Sequence, residues 1–124
     1  MGAQSQGGLM GKRYKIICLC GSTKFKKEFI EQQQRLTLAG NVVLSIGVFG
    51  HSDHIRLSAT EKIMLDDIHK QKIWMSDEIF VINKNGYIGK STQSEIDYAV
   101  SLKKPVIFME ENNERNRSNL FKSL

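Results

Sequence analysis

The stretch EIFVINKNGYIGKSTQSEIDYAVSLKKPVIFM, residues 78–109, decides the fold. Glu78-Ile-Phe-Val-Ile-Asn83 is a short apolar run between polar residues, the mark of a strand buried on both faces. Lys84 to Lys90 contains Asn85-Gly86, a turn dipeptide, and reads as a loop. Ser91 to Leu102 reads as a helix, with Ile96, Ala99, Val100 and Lys103 spaced i, i+3, i+4, i+7. Pro105-Val-Ile-Phe-Met109 is again an apolar run. Strand, helix and strand with short connections make a crossover unit, so the two strands are parallel.

The same grammar extends toward the N-terminus. Tyr14 to Cys20 is a mostly apolar strand ended by Gly21, and Lys24 to Ala39 is a helix with Phe25, Phe29 and Leu36 near one face. Gly40 stops that helix, and Asn41 to Ile46 is a further strand. A Gly- and His-containing loop, Gly47 to Leu57, precedes a helix from about Ser58 to Met75 that opens on the capping-box pattern Ser58-Ala-Thr-Glu61. Trp74 and Met75 at its end are expected in the core. The expected fold is therefore α/β, a flavodoxin-like or Rossmann-like three-layer sandwich. Its sheet has four to five parallel strands in the order 2-1-3-4.

Composition narrows the class. The chain has 124 residues, a single Pro, two Cys and a formal net charge of +5, which fits one domain, here 12–110. Residues 1–11 are small and uncharged and read as a disordered, vector-derived leader ahead of a native start at Met10. Residues 111–124 form a polar tail, with Leu120, Phe121 and Leu124 spaced for a short C-terminal helix that packs against something, such as a neighbouring subunit. No apolar run approaches the ~20 residues a bilayer requires. Two Cys cannot build a disulfide framework, so a reducing, cytoplasmic setting is expected. Residues 1–27 hold Lys12, Arg13, Lys15, Lys24, Lys26 and Lys27 without one acid, while the rest of the chain balances to −1. That is one basic segment, not a nucleic-acid footprint.

In a 2-1-3-4 sheet the ligand crevice lies beyond the carboxyl ends of strands one and three. Two loops meet there. Gly21-Ser22-Thr23-Lys24 offers backbone N–H groups, two hydroxyls and an ammonium to a phosphate or carboxylate; equally, it reads as a Ser/Thr cap with Lys24 in solvent. Ser91-Thr92-Gln93-Ser94-Glu95 reads as a capping box, or as a carboxylate in the first helical turn, held ionised by the helix dipole and able to act as a nucleophile. Asn83 and Asn85 flank the same strand end and suit polar substrate groups. Asp77, by chain direction, falls at the amino end of its strand, away from the crevice. His51-Ser-Asp-His54 has ligand spacing but no third donor nearby, and Cys18 and Cys20 read as small apolar thiols on one face of a buried strand. Asp66 and Asp67 read as outward-facing, with a lip position over the crevice as the alternative.

Taken together, Cys20-Gly21-Ser22, then Ser76-Asp77-Glu78-Ile-Phe-Val-Ile82, then Ser91-Thr92-Gln93-Ser94-Glu95-Ile96-Asp97-Tyr98-Ala99 and Lys104-Pro105-Val106 resemble the nucleoside 2-deoxyribosyltransferase-like superfamily, which includes nucleoside 5′-monophosphate N-glycosidases. The resemblance covers roughly residues 14–109. It implies that Glu95 attacks the anomeric carbon of the sugar, forming a covalent glycosyl-enzyme that passes to water or a second base. It implies a catalytic association for Asp77 as well, against its placement by chain direction. Gly21 and Ser22, with Thr23 and Lys24, match a loop that holds the 5′-phosphate; Asn83, Ser91 and Thr92 would complete substrate binding. Cys18 stands where relatives often carry Tyr, Gly89 where transferases often carry Asp, and Asp97 where Gly is usual. The expectation is an enzyme cleaving the N-glycosidic bond of a (deoxy)nucleoside or its 5′-monophosphate, without cofactor or metal, as a homo-oligomer bound to neither nucleic acid nor membrane. The alternative is a catalytically inactive nucleotide-binding module of the same fold.

Overall fold

A computed structural model describes residues 13–111. The leader and residues 112–124, with Leu120, Phe121 and Leu124, lie outside the described residues. Four strands form one parallel sheet: β1 (Ile16–Gly21), β2 (Val42–Leu44), β3 (Glu78–Ile82) and β4 (Val106–Phe108). Their order across the sheet is β2-β1-β3-β4, as expected. Three helices alternate with them: α1 (Lys26–Leu38), α2 (Ala59–Met75) and α3 (Lys90–Ser101). A 3₁₀ turn over Thr23–Phe25 leads into α1, and a second over Lys84–Gly86 follows β3. Among the described residues no helix is long and apolar enough to cross a membrane.

The alternation of β1 builds two cores. Ile17 and Leu19 face α1, where Phe25, Phe29 and Leu36 pack with Phe80 and Ile82. Cys18 and Cys20 face α2 and α3, where Ile73, Ile96 and Ala99 pack with Ile79 and Val81. Each fully buried apolar side chain of this kind contributes ~1.5–3 kcal/mol. Both faces of β1 and β3 are thus covered, which is why these strands are near-continuous apolar runs.

Two expectations fail at the surface. Trp74 and Met75 are exposed at 64% and 50% rather than in the core, because Ile73 is the residue that α2 turns inward in its last turn. Val100 is also exposed, leaving Ile96 and Ala99 as the packing stripe of α3. The last carbonyls of α2 meet a cation instead: the Lys104 ammonium donates to the carbonyls of Ile73, Trp74 and Ser76. A positive charge at a helix C-terminus satisfies orphan acceptors and complements the dipole. The Lys-Pro pair thereby ties the end of α2 to the start of β4.

The basic segment is largely absorbed by ion pairs. Arg13 and Lys15 meet Asp77 and Glu78 at the amino edge of the sheet, and Lys26 meets Asp53. Asp77 also exchanges hydrogen bonds with Ile16: its Oδ2 accepts from the Ile16 N–H at 2.7 Å, and its own N–H donates to the Ile16 carbonyl at 2.7 Å. The Ile16 N–H and then Arg13 hold the Asp77 carboxyl below the usual carboxylate range. A depressed acid stabilises the fold above its unfolded pKa, and that contribution is lost as pH falls through the native value. Asp77→Ala should cost about 1–2 kcal/mol at pH 7 by urea unfolding. Its gap from wild type should narrow as the pH is taken below ~4.

Candidate active site

The crevice at the carboxyl ends of β1 and β3 is a cavity of about 710 Å³. Gly21, Ser22 and Thr23 enter it from β1, and Ser91, Thr92 and Glu95 from α3. The loop between β2 and α2 contributes Ile46, Val48, Ile55 and Leu57 together with His51, His54 and Arg56. Lys62, Leu65, Asp66, His69 and Lys72 line the wall from α2. Lys90 and Tyr87 close the remaining side. The loop is pinned over the crevice by the 2.9 Å Lys26–Asp53 ion pair and by the His51 N–H, which donates to Thr23 Oγ1 at 3.2 Å.

Gly21 keeps the floor open by having no side chain. Its φ is +155°, and a Cβ there would lie 2.8 Å from the Ile82 carbonyl oxygen and 3.2 Å from the Phe29 ring. The backbone of β3 cannot retreat without breaking its register with β1, so the clash has no cheap relief. Gly21→Ala should destabilise the protein by about 2–4 kcal/mol in denaturant titration. A cost near zero would mean that the β1–β3 approach is looser than described.

Glu95 occupies a different local environment from either sequence reading. The helix starts at Lys90 with Gly89 as N-cap, and no side chain caps it. Thr92-x-x-Glu95 is therefore not a capping box; both residues lie within the helix, with Glu95 in its second turn. The dipole of the first turn does not reach it. Burial decides instead: Glu95 is only 9% exposed, and among the described residues its Oε1 has no hydrogen-bond partner. Its pKa is pushed up to about 7 by desolvation, with the nearby His69 charge acting in the opposite sense.

Behind Glu95 lies a group of three that the sequence reading did not connect. His69 Nε2 is 3.8 Å from Glu95 Oε1, 3.7 Å from Cys18 Sγ and 3.5 Å from Cys20 Sγ. All three partners of the imidazole are buried. The Cys18 thiol is lowered to about 6, first by the Cys20 S–H donating to it and then by His69, against burial. Cys20 in turn is raised well above its ordinary value, because it donates to Cys18 and is itself buried. Burial opposes charging His69, yet the Cys18 sulfur and the Glu95 carboxylate carry its pKa upward.

The remaining sequence candidates divide. Gly21, Ser22, Thr23, Ser91 and Thr92 all line the cavity. Ser22 Oγ also accepts from the Lys24 N–H at 3.2 Å, so it caps the 3₁₀ turn. Lys24 is not among the lining residues: its ammonium lies 3.5 Å over the Tyr87 ring. Asn83 is buried with both ends of its amide committed to the Glu110 backbone, where it fastens β3 to the end of β4 rather than facing ligand. Asp77 lies at the opposite end of the sheet, on Ile16 and Arg13, and is not part of the crevice. Asp66 takes the lip position. His69 and the cations Arg56, Lys62, Lys72 and Lys90 were not singled out from sequence. The spacing 62, 65, 66, 69, 72 traces one face of α2 and was the available signal.

No family model and no curated protein sequence matches the chain.

The raised pKa of Glu95 has a stability consequence. An acid whose native pKa exceeds its unfolded one supports the fold at low pH, and that support is lost as pH rises through the native value. The window runs from the ordinary 4.5 to about 7. Glu95→Gln should therefore melt above wild type at pH 8, with a clearly smaller gap at pH 5, in thermal scans with chelator present. Equal gaps at the two pH values would remove burial as the controlling cause.

Proposed function

We propose that the protein cleaves the N-glycosidic bond of a (deoxy)nucleoside or its 5′-monophosphate, with Glu95 as the nucleophile. The observation that carries this reading is a buried carboxylate with an oxygen that makes no hydrogen bond, at a crevice of about 710 Å³ lined by Arg56, Lys62, Lys72 and Lys90. A volume in the range of small-molecule sites suits a nucleotide. Clustered cations suit its phosphate, with the Gly21-Ser22-Thr23 backbone on the same floor. The apolar side chains of the β2–α2 loop suit the face of a base.

In this scheme a Glu95 carboxylate oxygen bonds to the anomeric carbon as the C–N bond breaks. The electron pair leaves on the base nitrogen, which takes a proton from the medium. Water then attacks the same carbon and gives up a proton to the medium, releasing the carboxylate and the free sugar, or a second base does so with loss of its N–H proton and transfer results. Only the ionised carboxylate can attack, so kcat/KM should rise with pH through about 7. The test is chromatography of free base after incubation with each nucleoside and each 5′-monophosphate, with and without an acceptor base. Glu95→Ala should lower the rate ~10³-fold or more. Base release by Glu95→Ala at the wild-type rate would sink the assignment.

Two observations favour a second reading, a nucleotide-binding module without turnover. A carboxylate with a pKa near 7 is partly protonated at neutral pH, and Cys18 lies fully buried, out of reach of a ligand. Thermal stabilisation by nucleotides with no base released from any of them would select it.

A further inference from the structure

We propose that Cys18, Cys20 and His69 form a zinc site whose fourth ligand is the Glu95 carboxylate. The donor atoms Sγ, Sγ and Nε2 all lie within 4.8 Å of one another, and among the described residues no other group of three such donors is drawn together. The two sulfur–nitrogen separations are 3.7 and 3.5 Å, and Glu95 Oε1 stands 3.8 Å from the same nitrogen. With Zn–S near ~2.3 Å and Zn–N near ~2.0–2.1 Å, the edges of a tetrahedron are roughly 3.5–3.8 Å. An ion at the centre would therefore meet Cys18, Cys20 and His69 close to where they already are, and the Glu95 carboxylate, 3.8 Å from the imidazole, would move inward to complete the tetrahedron.

The scaffold explains the fit. Cys18 and Cys20 are two apart on one strand, so both thiols leave the same face of β1. His69 and Ile73 form the buried stripe of α2 against that face. Three donors on two rigid elements need little ordering on binding. Two thiolates and an imidazole select a soft or borderline ion over magnesium or calcium. Binding requires both sulfurs as thiolates, so it displaces the thiol protons that remain, and the dication neutralises both sulfurs. Entry is from the crevice, since His69 and Glu95 line it while the cysteines lie fully buried beneath.

A consequence follows that rests on the reading of Glu95 as nucleophile. A carboxylate bound to zinc cannot attack a sugar, so zinc is a reversible inhibitor and a chelator restores base release.

The experiment uses the reduced full chain, stripped with chelator and titrated with zinc or cobalt chloride. Metal analysis after gel filtration should give one zinc per chain. The cobalt form should show the near-ultraviolet thiolate-to-metal charge-transfer band and the visible bands of tetrahedral coordination. Cys20→Ser and His69→Ala should weaken zinc binding ~100-fold, and Glu95→Gln ~10-fold. A wild type without the charge-transfer band, or a band that persists in Cys18→Ser/Cys20→Ser, overturns the proposal. The binding measurements need no substrate, so their failure is distinguishable from failure of the glycosidase reading.

Discussion

Strand β1 is hydrogen-bonded on both edges, to β2 and β3, and buried on both faces. The two cores and the crevice depend on that one constraint. Its odd residues, Ile17 and Leu19, complete the α1 layer with bulky apolar side chains. Its even residues, Cys18 and Cys20, present small sulfurs to the opposite layer, and the volume they leave is taken by His69. An imidazole in a core needs soft or polar neighbours. The thiols supply them, and His69 in turn stands beside the Glu95 carboxylate. At the strand's end Gly21 meets the β3 backbone so closely that no side chain fits, and the crevice opens there.

The electrostatics of the crevice follow from two opposed demands. Glu95 is largely buried, which disfavours its charge, while the α2 and loop cations lining the crevice favour anions in the space above it. A carboxylate poised near neutrality beneath a cationic rim is suited to an anionic substrate and to a pH-dependent nucleophile. It is also suited to being captured by a dication, since metal binding relieves the same burial cost. The proposed nucleophile and the proposed metal ligand would thus be alternative uses of one side chain.

Much of this was legible along the chain. The apolar runs, the helical stripe of α1, Ile96 and Ala99 in that of α3, the Ser58–Glu61 capping box and the order 2-1-3-4 follow from local periodicity and chain connection, which depend on near neighbours. Chain direction placed Asp77 at the amino end of its strand, where it braces Ile16, although family pattern drew it toward the crevice. Asn83 was less legible for a related reason: a buried amide at a strand end is equally able to clasp backbone, and only the position of Glu110 shows that it does.

By itself the sequence determined the alternation of elements, the parallel sheet and the two loops that meet at the crevice, because hydrophobic period and connection length act locally. Only the tertiary structure decided that Glu95 is buried beside His69, that Lys24 rests on Tyr87, and that His69 stands against two thiols. Each of these is a meeting of side chains far apart in sequence: Cys18 and His69 are separated by 51 residues. Desolvation and charge pairing depend on which surfaces close over a group, and that is settled by the packing of α2 and α3 on the sheet.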